Sequence, residues 1–417
     1  MTMEGSGLRV VIIGGGLAGA LAGRILREHH MVTILERSSD AYEVGAAINV
    51  GPNGVRILST LGFDKTKVGC LEVGLTRTWN KEGKLLQEDT KDFIKEYGAP
   101  WLFQHRADLR KEFLRLATED SQALAVDGKP AILRYNTKVV DVDVDDGVVF
   151  LDSGEKIEAD LVIAADGIKS LVRPLVVGDQ AFSTARPSGL SAFRFTLPRE
   201  EVLAVFPELP VLDRSKPATL EMVFSFDPSN RSGVMYPCRN FELLNLVCIV
   251  PDSRLKTATT ESWTASGDQD ELLECFSDFP KWFLDILALG KNIKLWQLRD
   301  QDPLPSYVKG RTVLIGDAAH AMTPHQGQGG TQAVEDAEAF RLFNIGDVLR
   351  DDVARILKDF DSVRRPRASQ IQNNTRKAVN KRTPEEVYSF SKYNWTYPGV
   401  VEGLRRVKAG EDLIQFQ

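Results

Sequence analysis

Residues 8–36 read LRVVIIGGGLAGALAGRILREHHMVTILE, and this stretch decides the fold. Leu8–Ile13 is apolar apart from Arg9, which predicts a buried strand. Leu17–His29 predicts a helix, and Met31–Leu35 predicts a second strand. A strand, a glycine-rich turn, a helix and a strand in this order are typical of a βαβ unit in a parallel sheet. The sequence therefore predicts an α/β protein.

The glycine-rich turn fits the pattern GxGxxG at Gly14, Gly16 and Gly19. Gly14 permits the tight turn, Gly16 lets a pyrophosphate approach the backbone, and Gly19 lets the helix pack closely on the strand. Glu36 stands 22 positions after Gly14, where its carboxylate can accept hydrogen bonds from both ribose hydroxyls of an adenosine. These features predict a dinucleotide site at the helix N-terminus, and they fit FAD and NAD equally well.

The overall composition narrows the class of protein and its partners. The chain has 417 residues, 43% hydrophobic and 26% charged, as in folded proteins of two or three domains. Its formal net charge of −6 disfavours nucleic-acid binding, which needs a basic face. The four cysteines form no CxxC pair and the five histidines no HExxH motif, so no metal site is expected. No apolar run reaches about 18 residues, so no transmembrane segment is expected. We also expect a cytoplasmic location and a monomer or homodimer.

The character of the sequence changes after about residue 183. Leu190–Leu197, Leu220–Phe226 and Glu242–Val250 are apolar or alternating and are separated by turns, which predicts an antiparallel sheet. Residues 270–289 predict one helix, and the pattern beyond Gly330 is mostly helical. The basic run Arg364–Arg367 predicts a solvated helix face.

Two further segments place an aspartate at the end of a buried strand. Residues 159–173, ADLVIAADGIKSLVR, end a strand at Asp166, and residues 310–337, GRTVLIGDAAHAMTPHQGQGGTQAVEDA, end one at Asp317. The Asp317 carboxylate can bond a ribityl hydroxyl. The glycine-rich loop after it opens a helix near Gly330, where the free amides of Gly330 and Thr331 can stabilise negative charge on a flavin.

Together these motifs resemble those of the class A FAD-dependent aromatic hydroxylases, the salicylate-hydroxylase-like flavoprotein monooxygenases. Three motifs match in order: the dinucleotide turn with Glu36 and Arg37, the strand end at Asp166, and Asp317 with PHQGQGG and VEDA. The resemblance covers about residues 8–375. It implies a Rossmann-like FAD-binding domain with an inserted antiparallel-sheet substrate domain and C-terminal helices.

The same resemblance implies a discontinuous domain layout, because Gly16, Asp166 and Asp317 have to meet at one cofactor. The FAD-binding domain is expected to comprise residues 1–75, 100–182 and 299–345. The substrate-binding sheet domain is expected at 76–99 and 183–298. A C-terminal helical region is expected at 346–417.

The resemblance also implies which residues contact FAD. By their places in the matching motifs, they are Glu36 and Arg37 for the adenosine end, Ala46 and Ala47 along the flavin, Arg106 near the ribityl and phosphate groups, Asp166 near FAD and the nicotinamide path, Asp317 for the ribityl chain, and Gly330 and Thr331 against the flavin ring. Ala47 and Thr331 depart from the family, which often has glycine at the first position and glycine or alanine at the second.

The chain carries one recognisable dinucleotide unit, which implies that NAD(P)H binds briefly, reduces FAD and leaves. By resemblance, the reduced flavin reacts with O2 to form a C4a-hydroperoxide, which hydroxylates a phenolic or other aromatic small molecule. Two alternatives stay open. One is epoxidation or oxidative rearrangement of an indole or terpenoid secondary metabolite, and the other is a flavoprotein reductase without oxygenation.

Two residues of the predicted sheet are candidates for substrate activation. Arg194 lies in SAFRF and Tyr236 in VMYP, and similar fungal phenol hydroxylases use an arginine and a tyrosine in such places to hold a phenolate. The alternatives are a salt-bridged strand residue for Arg194 and an aromatic cap of the sheet for Tyr236. His320 is expected to pack behind Asp317 and to hydrogen-bond the backbone.

Overall fold

The computed structural model describes residues 7–39, 46–256, 265–378 and 384–414. Its strands in chain order are β1 Arg9–Ile13, β2 Met31–Leu35, β3 Ala47–Val50, β4 Leu71–Asn80, β5 Leu85–Thr90, β6 Leu102–His105, β7 Ile132–Arg134, β8 Val139–Asp143, β9 Val148–Leu151, β10 Lys156–Glu158, β11 Leu161–Ala164, β12 Arg186–Pro198, β13 Ala218–Phe224, β14 Ser232–Cys238, β15 Leu243–Pro251, β16 Lys294–Asp300, β17 Val308–Lys309 and β18 Thr312–Leu314.

The α-helices in chain order are α1 Leu17–Leu26, α2 Pro52–Ser59, α3 Phe93–Tyr97, α4 Arg106–Thr118, α5 Ser121–Leu124, α6 Arg173–Val177, α7 Arg199–Val205, α8 Gln269–Cys275, α9 Lys281–Leu287, α10 Asp317–His320, α11 Gly329–Ala339, α12 Val353–Ala378, α13 Pro384–Trp395 and α14 Val400–Lys408. Short 3-10 helices occur at Gln180–Phe182, Pro210–Leu212, Asp252–Arg254, Pro324–Gln326, Phe340–Asn344 and Arg350–Asp352. Within the described ranges, no helix combines the length and the apolar character that a membrane crossing requires.

A six-stranded sheet contains the predicted βαβ unit, in the order β17-β18-β11-β1-β2-β7. β1 pairs in parallel with β2 and β11, and β11 pairs in parallel with β18. Val10 packs with residues of α1, α4 and α11 on one face, and Val11 packs with residues of β8 and β9 on the other. Because both faces are covered, these strands read as continuous apolar runs. α1 ends before the predicted His29, since the chain must turn for Met31 to hydrogen-bond Leu8 and begin β2.

Three neighbouring parallel strands of this sheet end at the same edge. β1, β11 and β18 are adjacent, so the turns that follow them, at Gly14, Asp166 and Asp317, lie side by side. The chain continues from β1 to β2 on one side, whereas β11 and β18 lie on the other. In open α/β sheets such a change of direction creates a crevice at the carboxyl ends of the strands, and ligands bind there.

A nine-stranded sheet runs in the order β16-β12-β15-β14-β13-β4-β6-β3, with β5 beside β4. The pairs that join β16, β12, β15, β14 and β13 are antiparallel, as the sequence predicted, whereas β13 and β4 are parallel. Phe193, Met235 and Leu246 pack on α8 and α9. Since side chains alternate along a strand, Arg194 and Tyr236 project from the opposite face.

Two helices, α8 and α9, stand where the sequence predicted one helix over residues 270–289. Pro280 is the N-cap residue of α9. Proline lacks a backbone N–H and disfavours helical geometry in the residue before it, so the chain breaks here. Phe283 of α9 packs against β14 at Gly233, where a Cβ would lie 2.1 Å from the Phe283 Cζ.

The prediction of a solvated face at Arg364–Arg367 is wrong for two of its three arginines. The side chains of Arg364 and Arg367 are fully buried on α12, where both pair with Glu335 of α11. Arg364 Nη1 lies 2.6 Å from Glu335 Oε2, and Arg364 Nε lies 2.9 Å from Asp336 Oδ1. A buried guanidinium needs partners that compensate its charge, and here carboxylates of another helix supply that compensation.

Candidate active site

The turn after β1 has the geometry of a phosphate-binding turn. Gly14 has a φ of +103°, and a side chain there would collide with the carbonyl oxygen of Ala165. A side chain at Gly19 would collide with the carbonyl oxygen of Gly14. At Gly16, in contrast, a Cβ would meet no atom within 4 Å. The open space therefore lies at the N-terminus of α1, where a pyrophosphate can approach the backbone, so the turn fits a dinucleotide.

Glu36 lies at the carboxyl end of β2 and holds this turn. Its Oε2 accepts a hydrogen bond from the Gly15 N–H at 2.9 Å, and its Oε1 accepts one from the Ser38 N–H at 2.9 Å. Burial opposes ionisation, but the hydrogen bonds from Ser38 and Gly15 keep the pKa of Glu36 below its usual value. Arg110 donates from Nε to the Gly15 carbonyl at 2.8 Å. Arg37, next to Glu36, is exposed.

The turn after β11 is built around Asp166 and Arg173. Asp166 Oδ2 accepts a hydrogen bond from the Leu171 N–H at 2.8 Å, and burial raises the pKa of Asp166. The buried Arg173 donates to the carbonyl oxygen of Ile168 at 2.9 Å and to that of Asp317 at 2.9 Å. Arg173 thus ties the second and third motif turns together. The sequence shows that Arg173 follows Asp166 and Gly167, but it does not show which carbonyl groups the Arg173 side chain binds.

The third motif turn is held by Asp336, which sequence reasoning did not assign. Asp336 Oδ2 accepts from the Gly316 N–H at 2.8 Å and lies 2.6 Å from His320 Nε2. The expected backbone hydrogen bond of His320 is therefore replaced by a side-chain bond to a carboxylate. Asp317, at the start of α10, is exposed. Asp336 fixes the turn, and the exposed Asp317 carboxylate can bind a ligand hydroxyl.

We predict that Asp317→Ala weakens FAD binding about tenfold, because a hydrogen bond to a charged group contributes about 1.5–3 kcal/mol. The dissociation constant is measured by titrating the apoprotein with FAD and following flavin fluorescence. Asp351→Ala is the control, since the Asp351 side chain is fully exposed. Equal FAD affinity in the two variants would contradict a role for Asp317 in the cofactor site.

The N-terminus of α11 faces β3. A Cβ at Gly330 would lie 2.6 Å from Ile48 Cδ1, whereas a Cβ at Gly329 would meet no atom within 4 Å. Thr331 is fully buried, and its Oγ1 accepts a hydrogen bond from the Gly51 N–H at 3.2 Å. The open side of this helix end is therefore at Gly329. The threonine that departs from the family pattern links α11 to the start of α2.

Arg106 and the strand that contains Ala47 join the motif turns to the nine-stranded sheet. The Arg106 N–H donates to the Ala46 carbonyl at 3.1 Å, and the Ala47 N–H donates to Asn245 Oδ1 of β15 at 3.0 Å. Burial lowers the pKa of Arg106, and the charge of Asp317 opposes this shift. Arg106 therefore lies close enough to Asp317 for their charges to interact.

Arg194 and Tyr236 lie on the face of the sheet that Arg106 approaches. Burial lowers the pKa of Arg194 to about 10, and the charge of Arg106 acts in the same direction, while Tyr236 opposes it. The Arg194 guanidinium lies over Trp296, 4.6 Å from the ring centroid. The Arg194 Nε has no hydrogen-bond partner, and Arg194 forms no ion pair among the residues that the structure describes, which argues against the alternative of a salt-bridged strand residue.

Tyr236 begins a continuous wall of aromatic side chains. Its ring lies 4.3 Å from that of Phe103, which lies 5.5 Å from Trp101. Trp101 in turn lies 5.6 Å from Trp395 of α13. Burial raises the pKa of Tyr236, so its hydroxyl stays protonated at neutral pH. Sequence reasoning missed Trp395, because the tail beyond residue 380 showed no family motif.

Comparison with known proteins supports a flavoprotein assignment. A family model described as an FAD binding domain matches residues 7–375. Hispidin-3-hydroxylase of Neonothopanus nambi is 30% identical over 376 residues, which cover 87% of this chain and 86% of that protein. Salicylate hydroxylase of Pseudomonas putida is 32% identical over 379 residues, which cover 88% and 84%. These relatives are named as hydroxylases, which disfavours the alternative of a reductase without oxygenation.

Solved structures agree with the sequence relatives. A salicylate hydroxylase substrate complex superimposes with a TM-score of 0.72 and 27% identity, over 97% of this chain and 93% of that one. CtdE in complex with FAD and substrate 4 has a TM-score of 0.75, 22% identity and coverage of 96% and 100%, and it supports the fold. With three motif turns at one sheet edge and a family model over most of its length, this chain belongs to the FAD-dependent monooxygenases of the salicylate hydroxylase type.

Proposed function

We propose that this monooxygenase uses NAD(P)H and O2 to hydroxylate a phenolic or other aromatic small molecule, which it binds as the phenolate. One observation carries the proposal. Arg194 has no carboxylate partner among the described residues, and Tyr236 lies at the end of an aromatic wall. Both share the sheet face on which Asn245 accepts a hydrogen bond from Ala47 of β3. A half-buried cation and a phenolic donor beside aromatic rings suit an aromatic oxyanion.

The residues of this face perform binding and orientation. FAD, when bound, supplies the redox chemistry, with electrons from NAD(P)H and an oxygen atom from O2. Arg194 stabilises the ionised substrate oxygen by its charge, and Tyr236 donates a hydrogen bond to the same group. Ionisation enriches the ring carbon in electrons and makes it a better nucleophile. Phe103 and Trp101 offer ring faces and edges to the substrate and exclude water.

The test is product analysis with the purified FAD-loaded enzyme. A panel of a phenol, a benzoate and an indole is incubated with NADH or NADPH under air, and products are identified by mass spectrometry. The expected result is a phenolic product with one added oxygen atom and substrate-stimulated NAD(P)H consumption. A product from the indole alone would favour the alternative of epoxidation or rearrangement, and Arg194 would then be dispensable.

We also propose the discontinuous division described above, in which 1–75, 100–182 and 299–345 bind FAD and 76–99 and 183–298 bind substrate. The strand order supports this division. All strands of the six-stranded sheet lie in the ranges assigned to FAD binding, and β12 to β15 lie in the ranges assigned to substrate binding. β3 and β6 lie in the first group by sequence but pair with the larger sheet. A crystal structure with FAD should place Asp317 within hydrogen-bond reach, about 3 Å, of the cofactor bound at Gly16.

A further inference from the structure

The last turn of α13 and the residues after it, 393–397, form a segment that we call the C-terminal strap. Side chains of other helices hold its main chain. Arg367 of α12 donates to the carbonyl oxygen of Tyr393 at 3.1 Å and to that of Asn394 at 2.8 Å. Hydrogen bonds to main-chain carbonyls fix the path of the strap without reading its side chains, which fits a tail that shows no family motif.

Arg56 of α2 holds the same strap from a distant part of the chain. Its Nη2 lies 3.0 Å from the carbonyl oxygen of Trp395 and 2.9 Å from that of Tyr397. Its Nη1 donates to the carbonyl oxygen of Tyr97 at the end of α3. A guanidinium presents several N–H groups in a fixed planar fork, so one side chain can hold three carbonyls at once. Arg56 therefore joins the strap to α2 and α3, and the proposed mechanism does not use it.

The strap reaches both sides of the proposed site. Asn394 Nδ2 donates to Gln326 Oε1 at 2.7 Å, and Gln326 belongs to the glycine-rich loop before α11. The ring of Trp395 lies 5.6 Å from that of Trp101, whose Nε1 donates to Asn49 Oδ1 of β3 at 3.0 Å. The strap thus bridges the loop of the third motif and the aromatic wall.

We propose that Arg56 is a positioning residue of the monooxygenase reaction: it holds the strap, and the strap holds Trp395 on the aromatic wall and Gln326 in the glycine-rich loop. This closed edge keeps water away from the flavin while oxygen is transferred to the substrate. When the edge is open, O2 takes two electrons from NAD(P)H through the flavin, gains two protons and leaves as hydrogen peroxide. The inference rests on the proposed function only for its aromatic substrate.

The test replaces Arg56 with methionine, which keeps an unbranched apolar side chain and removes all the donors. The FAD-loaded variant and the wild type are given NAD(P)H and a phenol that the wild type hydroxylates, and both hydroxylated product and hydrogen peroxide are measured. We expect the ratio of product to peroxide to fall about tenfold, the effect of losing a hydrogen bond from a charged group. FAD content should not change.

Arg27→Met is the matched control, because Arg27 is also a buried arginine that holds a main-chain carbonyl. It is 0% exposed, and its Nη1 donates to the carbonyl oxygen of Leu116 at 3.0 Å. It follows the last residue of α1, at the end of that helix away from the glycine-rich turn. This variant should lose stability and keep the ratio of product to peroxide. An equal fall of the ratio in both variants would show that Arg56 acts only through stability, and would overturn the inference.

A double variant shows whether Arg56 acts through the strap. Trp395→Phe shortens the strap's contact with the aromatic wall and should also lower the ratio of product to peroxide. If both changes disable the same element, the variant Arg56→Met/Trp395→Phe should have a ratio no lower than that of the worse single variant. Effects of the two substitutions that multiply would place Arg56 outside the strap's action and contradict the proposal.

Acrylamide quenching of the flavin fluorescence needs no substrate and tests the closed edge directly. Quenching should be stronger in Arg56→Met than in the wild type and unchanged in Arg27→Met. Asn394→Ala, which loses the bond to Gln326, should show the same increase and serves if Arg56→Met does not fold. Quenching equal to that of the wild type in the strap variants would overturn the inference. Failure of the wild type to hydroxylate any phenol would instead overturn the proposed function and leave this measurement valid.

Discussion

Replacing Arg194 with glutamine should slow hydroxylation by roughly 10- to 10³-fold, the range expected when one or two charge-assisted contacts to the reacting substrate are lost. FAD content should not change, because the Arg194 side chain contacts Trp296 rather than the three motif turns. Flavin reduction by NAD(P)H should continue, and O2 should then reoxidise the flavin with release of hydrogen peroxide instead of hydroxylated product. The measurement is the amount of hydroxylated product formed per NAD(P)H consumed.

Two further variants make this result specific. Tyr236→Phe removes only the hydroxyl and keeps the ring contact with Phe103, so we expect a smaller loss of about tenfold. Arg77→Gln removes a charge from β4 of the same sheet, where Arg77 pairs with Glu88 and Glu221, and it should leave the product yield per NAD(P)H unchanged. Unchanged turnover and coupling in Arg194→Gln would assign Arg194 a structural role and favour a substrate without an ionisable hydroxyl.

Replacing Arg364 with methionine should lower the free energy of unfolding by about 3–5 kcal/mol, as expected when one partner of a buried ion-pair cluster is removed. The guanidinium bonds both Glu335 and Asp336, and all three side chains are buried. Without it, two carboxylates lose a cation in a region that water does not reach. Denaturation by urea, followed by circular dichroism on the FAD-saturated protein, measures the loss.

The neighbouring arginine is a matched control for this prediction. Arg365 lies on the same helix, is one-third exposed and pairs with Asp361 one turn away. Exposed pairs of this kind contribute about 0–1 kcal/mol, so Arg365→Met should change stability little. If the two variants lost the same stability, the buried cluster would not be a main support of the interface between α11 and α12.

The parts of the fold that sequence patterns predicted are those fixed by local sterics. Gly14 needs a positive φ and Gly19 leaves no room for a side chain, and both constraints come from a turn of a few residues. The break before Pro280 also has a local cause, and the proline was a readable signal that the prediction of a single helix overlooked. Local features of this kind can be read from a single sequence.

The features that sequence reasoning missed depend on partners distant in the chain. Arg364 looked like a surface residue because the carboxylates that compensate it belong to another helix. Nothing in the sequence around His320 indicated its hydrogen bond to Asp336. Nothing around Arg173 indicated its hydrogen bond to the carbonyl oxygen of Asp317. Asn245 was a single polar residue in an apolar strand, and the residue that it contacts, Ala47, lies 198 positions earlier in the chain. Such contacts exist only once the sheets have assembled.

The pairing of β1 with β11 has a consequence for how the chain is made. The Arg9 N–H donates a hydrogen bond to the carboxylate of Asp160, which lies 151 residues later in the chain. Arg173 in the second motif donates to the carbonyl oxygen of Ala318, which lies 145 residues after Arg173. At about 5–20 residues per second, a ribosome needs roughly 8–30 s to supply each missing neighbour. During that time β1 and β11 each have an apolar edge without a partner, so the nascent chain should depend on chaperones until β18 has emerged.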